Sequence, residues 1–117
     1  MPIPGSPVPV LLFRLESSLR EELAPALSSI GIALEVSESA AGPGLVFCDS
    51  RPELVADALL RFPGRPVVVV SRLAEVDDWL NALEAGAADY CTPPFETAAL
   101  RWIVQSSLGR GAAAAAA

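Results

Sequence analysis

Two polar side chains follow directly on apolar runs that have the character of buried strands. Asp49 follows the run 45–48, and Ser71 follows the run 67–70. Ligands of doubly wound α/β sheets bind outside the carboxyl ends of the strands, so this carboxylate and this hydroxyl are candidate site residues. The sequence holds no histidine, which is the commonest general base and metal ligand. Because it also holds no metal-ligand cluster and no nucleophile–base pair, we predict that the chain is not an enzyme.

Composition bounds the class of protein. The chain has 117 residues, of which 52% are hydrophobic and 19% charged, and this predicts one globular domain. Its formal net charge of −6 disfavours direct binding to nucleic acid or to an anionic membrane, because both draw on clustered cationic side chains. The apolar runs are far shorter than the ~20 residues of a membrane span. The N-terminus carries no positive charge ahead of an apolar run, so we expect no secretory signal and a cytoplasmic location.

The two cysteines, Cys48 and Cys91, lie within apolar, strand-like runs. Their spacing fits neither a metal site nor a disulfide framework. We therefore predict that both are free, buried thiols.

Apolar runs alternate with segments of helical periodicity through short loops, which is typical of parallel βαβ units. We predict an α/β domain with a doubly wound, five-stranded parallel sheet of order 2-1-3-4-5. The segment 37–44 has no apolar period, so the helix expected there is predicted to be shortened or missing. The predicted strands are 8–13, 32–36, 45–48, 67–70 and 88–92, and the predicted helices are 18–30, 50–62, 73–85 and 96–108.

This folded domain is predicted to cover residues 8–108. The proline-rich segment 1–7 is interpreted as a loose N-terminal arm. The segment 109–117 ends in six alanines and is interpreted as a linker or a cloning remnant, which alanine's helix propensity would allow to extend the last helix.

Local signals predict where the helices begin, where they end and which side faces the core. Ser18 with Glu21, and Ser50 with Glu53, have the spacing of capping boxes. Gly86 is placed to close a helix in the left-handed conformation. In the helix that Gly86 closes, four positions are predicted to face the core: Val76, Leu80, Leu83 and Ala87.

The stretch 81–95 resembles the fourth helix, fifth strand and following loop of bacterial response-regulator receiver domains. Their pattern there is roughly Ala-Leu-x-Ala-Gly-Ala-x-Asp-Tyr-Leu-x-Lys-Pro-Phe. The lysine position of that pattern holds Pro93 in this chain. The matching residues are Ala82, Leu83, Ala85, Gly86, Ala87, Asp89, Tyr90, Pro94 and Phe95.

The resemblance implies a phosphoryl-transfer site that this sequence retains only in part. Receiver domains use an aspartate after the third strand, a hydroxyl after the fourth, a lysine after the fifth, and an acidic pair after the first that holds Mg²⁺. Asp49 and Ser71 match the first two parts, whereas the acidic pair falls on Arg14 and Leu15 and the lysine on Pro93. We therefore expect a pseudo-receiver in two-component signalling whose site, Asp49, Ser71, Arg14 and Pro93, is vestigial and needs no cofactor.

Several alternatives stay open at this site. Arg14 is expected to pair with Asp49, either as an ordinary ion pair or as a fixed cation that replaces the metal and locks an active-like state. The alternative hypothesis is a working receiver, in which Mg²⁺ is the cofactor and Asp49 accepts the phosphoryl group. The hydroxyl of Ser71 would instead simply cap the following helix.

The resemblance also implies a signalling surface. Receiver domains signal through the face made by their fourth helix, fifth strand and fifth helix, on which Tyr90 matches the aromatic switch residue. Trp79 and Trp102 fall on the two helices of that face, and Trp79 is predicted either to stand exposed beside Tyr90 or to lie flat over a helix seam. We expect a protein partner or a homodimer here, with a fused or separate output domain.

Overall fold

The computed structural model describes residues 10–32, 34–35, 44–73 and 75–116, with side chains described as far as Ser107. Five strands alternate with four helices along the chain. The strands are β1 (Val10–Phe13), β2 (Leu34–Glu35), β3 (Leu45–Asp49), β4 (Val67–Val70) and β5 (Asp89–Cys91). The helices are α1 (Ser17–Ser29), α2 (Pro52–Arg61), α3 (Val76–Ala85) and α4 (Thr97–Ala116).

The strands form one sheet in the order β2-β1-β3-β4-β5, and each neighbouring pair is parallel. The outer strand β2 contributes only two paired residues, Leu34 and Glu35, whereas the other strands have three to five residues. The predicted class, α/β with a parallel sheet, is confirmed. The predicted arm 1–7 and most of the segment 37–44, where a helix was predicted to be shortened or missing, lie outside the described residues.

Helices cover both faces of the sheet, which explains why the central strands are apolar at every position. On one face, Leu19, Leu23 and Leu27 of α1 pack with Leu100 and Val104 of α4 against the strands. On the other face, α2 and α3 pack over the alternate strand residues. There the rings of Phe13 and Phe62 meet edge to face, with centroids 5.4 Å apart.

The structure confirms the predicted C-terminal residue of α3 and contradicts the predicted N-terminal caps of α1 and α2. Gly86 has φ 116° and closes α3, its N–H donating to the carbonyl of Leu83 (3.1 Å), as predicted. Both capping boxes are wrong, because within the described chain the N-cap residues of α1 and α2 are Glu16 and Arg51, and neither caps its helix through the side chain. In α2 the first helical residue is Pro52, whose fixed φ starts the helix one residue later than a Ser50 cap requires.

The predicted core-facing side of α3 is only partly confirmed. Val76 and Leu80, predicted to be core-facing, are 61% and 48% exposed, whereas Ala82 is buried. The predicted burial of Ala87 is confirmed, and Leu83 is half-buried. Four residues of the inward side of α3 line a cavity of about 150 Å³ shared with α2: Asp78, Asn81, Ala82 and Ala85.

The last helix, α4, runs through the alanine-rich segment as far as Ala116. No helix in the described ranges combines the length and the apolar character that crossing a membrane requires.

Candidate functional site

A cleft of about 670 Å³ opens at the carboxyl ends of β1, β3 and β4. The strand order changes direction at this point, since β1 pairs with β2 on one side and with β3 on the other, and such switch points are where α/β folds bind ligands. The charged residues that line the cleft are Arg14, Glu16, Asp49, Arg51 and Arg72, and the hydroxyl-bearing ones are Ser17, Ser50 and Ser71.

Asp49 is the last residue of β3, and its side chain is 13% exposed. Its Oδ1 accepts a hydrogen bond from the backbone N–H of Arg51 (3.0 Å) and lies 3.4 Å from Nε of the same residue. The cation beside Asp49 is therefore Arg51, and the expected ion pair with Arg14 is wrong. The reason is local, because the turn from β3 into α2 brings the guanidinium two residues ahead back onto the carboxylate.

Arg14 follows β1 in a left-handed backbone conformation, with φ 54°. This region costs a residue with a Cβ atom roughly 1–2 kcal/mol. The guanidinium Cζ lies 5.4 Å from the centroid of the Phe13 ring, a cation–π arrangement. Among the residues that the structure describes, Arg14 has no ion-pair partner, and its side chain stays exposed at the cleft.

The far side of the cleft is held by Arg72, which comes after β4. Its Nη2 donates to Oε2 of Glu22 (2.8 Å), and its Nε lies 3.6 Å from Oε1 of Glu16. The Ser18 hydroxyl, with the Arg72 charge as a smaller cause, holds the pKa of the Glu16 carboxyl below its ordinary value. Arg72 therefore joins the start of α1 to the loop between β4 and α3.

Ser71 lies at the cleft but organises the loop rather than the helix. Its hydroxyl oxygen accepts a hydrogen bond from the N–H of Leu73 at 3.2 Å. The interpretation of Ser71 as a helix cap is wrong, because α3 begins only at Val76 and its N-cap residue is Glu75. The Ser71 N–H donates to the carbonyl of Cys91 (3.1 Å), which fixes the end of β4 to β5.

Pro93 is half-buried after β5 and is joined to Pro94 by a cis peptide bond. It is not among the described residues that line the cleft. The structure therefore brings Asp49, Ser71 and Arg14 to the rim of one cleft and leaves Pro93 beside it. A prolyl ring offers neither the charge nor the donor that the lysine of the receiver pattern supplies.

The cleft does not fit a resident Mg²⁺. This ion needs several hard oxygen ligands in octahedral array. Here the two carboxylates, of Asp49 and Glu16, are already engaged by Arg51 and Arg72, and a guanidinium stands where the acidic pair of the resemblance would be. Within the described ranges, no three acidic, histidine or cysteine side chains group together in a way that could hold a metal ion.

A second candidate site lies between α3 and β5, where a pocket of about 320 Å³ is lined by Trp79, Tyr90, Glu75 and Asp89 among others. Trp79 is 44% exposed and stands beside Tyr90, the first of its two predicted placements. The Tyr90 hydroxyl donates to the carbonyl of Leu73 (3.0 Å), which ties its half-buried ring to the loop before α3. The other predicted aromatic, Trp102 on α4, is 66% exposed.

Both cysteines are free and buried, as predicted. Burial, with a smaller contribution from neighbouring carboxylates, raises the pKa of the Cys48 thiol and of the Cys91 thiol to about 12 each. Both thiols therefore stay protonated near neutral pH, where a protonated thiol is a poor nucleophile and a poor metal ligand.

Two arginines of the cleft, Arg51 and Arg72, were missed from the sequence. A positional signal was present, because Arg51 follows the predicted strand 45–48 by three residues and Arg72 follows the predicted strand 67–70 by two, at the edge where ligands bind. The receiver pattern identifies the positions of Asp49 and Ser71 but contains no arginine beside them. The resemblance therefore did not identify Arg51 and Arg72.

Comparisons with known proteins agree with this architecture. The chain is 31% identical over 120 residues to the transcriptional regulatory protein FixJ of Azorhizobium caulinodans, a match that takes in 90% of this chain and 57% of that protein. Full-length FixJ from B. japonicum superposes with a TM-score of 0.73 at 20% identity, covering 92% of this chain and 61% of that one. A CheY-like receiver domain protein from Methanospirillum hungatei gives 0.71 at 19% identity, over 92% and 98%. No family model matches the chain.

The chain therefore has the CheY-like fold, and across 90% of its length it is similar to FixJ. It spans 57% of the length of that relative, so the likeness concerns one part of a longer protein.

Proposed function

We propose that the chain is a receiver domain that works without phosphorylation and signals by binding a protein partner through α3, β5 and α4. The observation that carries this proposal is the outward-facing apolar stripe of α3. The stripe consists of Val76, Trp79 and Leu80, which are 61%, 44% and 48% exposed. Their spacing of three and four residues places them on one side of the helix.

The composition of the two sides of α3 supports a partner on the outer one. The inner side, which faces α2, presents small or polar residues such as Ala82, Asn81 and Asp78. The large apolar residues are on the outer side, where the domain leaves about half of each side chain exposed. Burying such a side chain fully contributes roughly 1.5–3 kcal/mol, so a partner's surface that covered the exposed part would recover about half of that for each residue. Contiguous exposed apolar patches commonly mark protein-interaction sites.

Aromatic residues next to the stripe strengthen this interpretation. Trp79 lines the pocket that also holds Tyr90, and tryptophan and tyrosine are the residue types most enriched in binding hot spots. Trp102 adds a second exposed indole on α4, and β5 is the outer strand of the sheet on this side.

The charges around the stripe favour a particular kind of partner. Carboxylates outnumber cations on α3 and β5, so a second copy of the chain would bring like charges together. We propose instead an apolar surface with a basic rim, such as that of another domain or protein. Apart from Asp78 on the inner side of α3, the carboxylate-bearing residues are Glu75, Asp77, Glu84 and Asp89.

The cleft supports independence from covalent phosphorylation of Asp49. A carboxylate repels an incoming phosphoryl dianion unless cations screen the charge in the transition state. In the receiver pattern those cations are Mg²⁺ and a lysine. Here the ligands of the ion are replaced by Arg14 and Leu15, the lysine is replaced by Pro93, and Asp49 is paired with Arg51.

Phosphate independence is tested by titrating the protein with beryllofluoride, a mimic of the aspartyl phosphate, in the presence of Mg²⁺. Trp79 and Trp102 serve as fluorescent reporters. We expect no saturable change in emission. A saturable change that disappears in Asp49→Asn would overturn the proposal and establish the alternative, a working phosphoacceptor.

The proposed binding face is tested with a synthetic amphipathic helical peptide that carries one apolar side and a lysine rim. We expect saturable binding that is lost in Leu80→Glu and retained in Leu60→Glu. Leu60 is a matched control because it is 80% exposed on α2, away from the stripe. Equal losses in both variants would contradict the choice of face. Sedimentation as a dimer that Leu80→Glu dissociates would show that a second copy occupies it.

A further inference from the structure

We infer that the cleft at the carboxyl edge of the sheet binds a small phosphate-bearing molecule non-covalently and without a metal, through Arg14, Arg51 and Arg72. This inference concerns a different surface from the α3 stripe and holds whether or not that stripe binds a partner.

The first argument is the local charge. Three guanidinium groups line the cleft, and the carboxylates that Arg51 and Arg72 meet are those of Asp49, Glu16 and Glu22. These charges cancel in a chain whose net charge is −6, so this concavity repels anions less than the average surface of the protein does.

The second argument is the state of Arg14. Its backbone has φ 54°, the one positive φ at a non-glycine position in the described part of the chain. Strained backbone of this kind clusters at ligand-binding positions. The guanidinium Cζ lies 5.4 Å from the centroid of the Phe13 ring. A cation–π contact of this kind uses none of the N–H donors, so they remain for an acceptor. No described carboxylate pairs with it, so an incoming anion meets a cation that has no competing partner.

The third argument is the exposure of the other two guanidinium groups. Arg51 and Arg72 are 64% and 42% exposed in their ion pairs with Asp49, Glu16 and Glu22. The pairs of Arg72 are exposed on both sides, and pairs of this type contribute about 0–1 kcal/mol. A multivalent anion can therefore draw Arg72 away from its carboxylates at low cost and meet Arg51 at the exposed part of its guanidinium.

The fourth argument concerns the chemistry and size of the ligand. The planar fork of a guanidinium matches the oxygen geometry of phosphate, and several forks around one cleft suit a group with several such oxygens. Hydroxyls of Ser17 and Ser50 line the same cleft and add neutral donors. The volume of about 670 Å³ is within the ordinary range for small-molecule pockets and admits a body larger than a single phosphate.

The test is calorimetric titration of the whole chain with pyrophosphate in a low-salt buffer that contains EDTA. We expect saturable binding, weakened about tenfold or more in Arg14→Ala, as the loss of a hydrogen bond between charged groups predicts. Arg101→Ala is the matched control, because Arg101 is exposed on α4 outside the cleft. The affinity of this variant for pyrophosphate should equal that of the wild type.

Arg14→Gly separates the guanidinium from the backbone. Glycine accepts φ 54° without strain, so this variant should fold at least as well as the wild type and still lose affinity as Arg14→Ala does. Retained affinity in Arg14→Gly would overturn the assignment, as would absence of saturable binding in the wild type or an equal loss in Arg101→Ala.

Asp49→Asn distinguishes this site from a covalent phosphoacceptor. Replacing the carboxylate removes a repelling charge and releases Arg51, so pyrophosphate affinity should rise. Transfer of a phosphoryl group to Asp49 would instead be abolished by the same change. A fall in metal-free affinity in Asp49→Asn would contradict the inference.

Discussion

The helices α1 and α3 carry apolar residues at the same four-residue spacing, yet only one of them buries these residues. In α1, Leu19, Leu23 and Leu27 are at most 3% exposed. In α3, Val76 and Leu80 are about half exposed or more, with Trp79 beside them. The spacing identifies an apolar face in both helices, but the extent of its burial differs. The described part of the domain buries this face almost completely in α1 and only about half of it in α3.

The difference comes from the residues that contact the rest of the domain. Residues advance by about 100° around a helix axis, so Leu80 and Ala82 point roughly 160° apart. Ala82 faces the sheet side, and Leu80 consequently faces outward. Small side chains allow a helix to approach its neighbour closely, and α3 uses them towards α2. An apolar period therefore predicts that one face of a helix will be buried. It does not predict whether the rest of the domain or a partner molecule buries that face.

The largest effect expected from this comparison is on α1. Leu23→Ala should lower the free energy of unfolding by about 2–5 kcal/mol, because Leu23 is fully buried and its truncation leaves a cavity. Urea unfolding followed by circular dichroism measures this loss. A loss below about 1 kcal/mol would mean that α1 is as weakly engaged as α3, and the contrast between the two helices would fail.

A smaller effect is expected at the end of α3. The C-cap residue of α3, Gly86, has φ 116°, whereas the C-cap residue of α1, Ile30, has φ −103° and is followed by the left-handed Gly31 with φ 81°. Gly86→Ala should cost about 1–2 kcal/mol of unfolding free energy. Contact does not add to this cost, because a new Cβ would lie 3.7 Å from the methyl groups of Leu59, an ordinary separation. Ile30→Ala serves as the comparison, because alanine at φ −103° carries no cost of a left-handed backbone conformation.

The smallest effect is expected on the stripe itself. Leu80→Ala should change the unfolding free energy by no more than about 0.5 kcal/mol, since the side chain is already half in water. Urea unfolding followed by circular dichroism measures this change in unfolding free energy, and Leu23→Ala provides the large loss for comparison. A loss comparable to that of Leu23→Ala would show that the stripe is covered within the folded chain.

The sequence predicted well those features that depend on strong, local or repetitive signals. Apolar strands such as 67–70 and the alternation of strands with helices are enough to predict a parallel α/β sheet. Gly86 was predicted as a helix end because few other residues accept its backbone conformation. The burial of Cys48 and Cys91 followed from their places in apolar runs.

Features that depend on the relative placement of elements could not be predicted in this way. Whether Asp49 pairs with Arg14 or Arg51 is decided by how tightly the chain turns after β3, and both are arginines near a strand end. The outward rotation of α3 depends on which residues α2 presents to it. The capping boxes failed because Ser18 and Ser50 have the right spacing while the helices begin at other residues.

One residue belongs to both surfaces compared above. Leu73 lines the cleft, its N–H is bound by Ser71, and its carbonyl accepts the hydrogen bond of Tyr90 beside the stripe. A molecule in the cleft that displaces this loop must therefore disturb Tyr90, and a partner that repositions Tyr90 must disturb the loop. Thermodynamic linkage makes such an influence mutual: the factor by which one occupant changes the affinity for the other is the same in both directions.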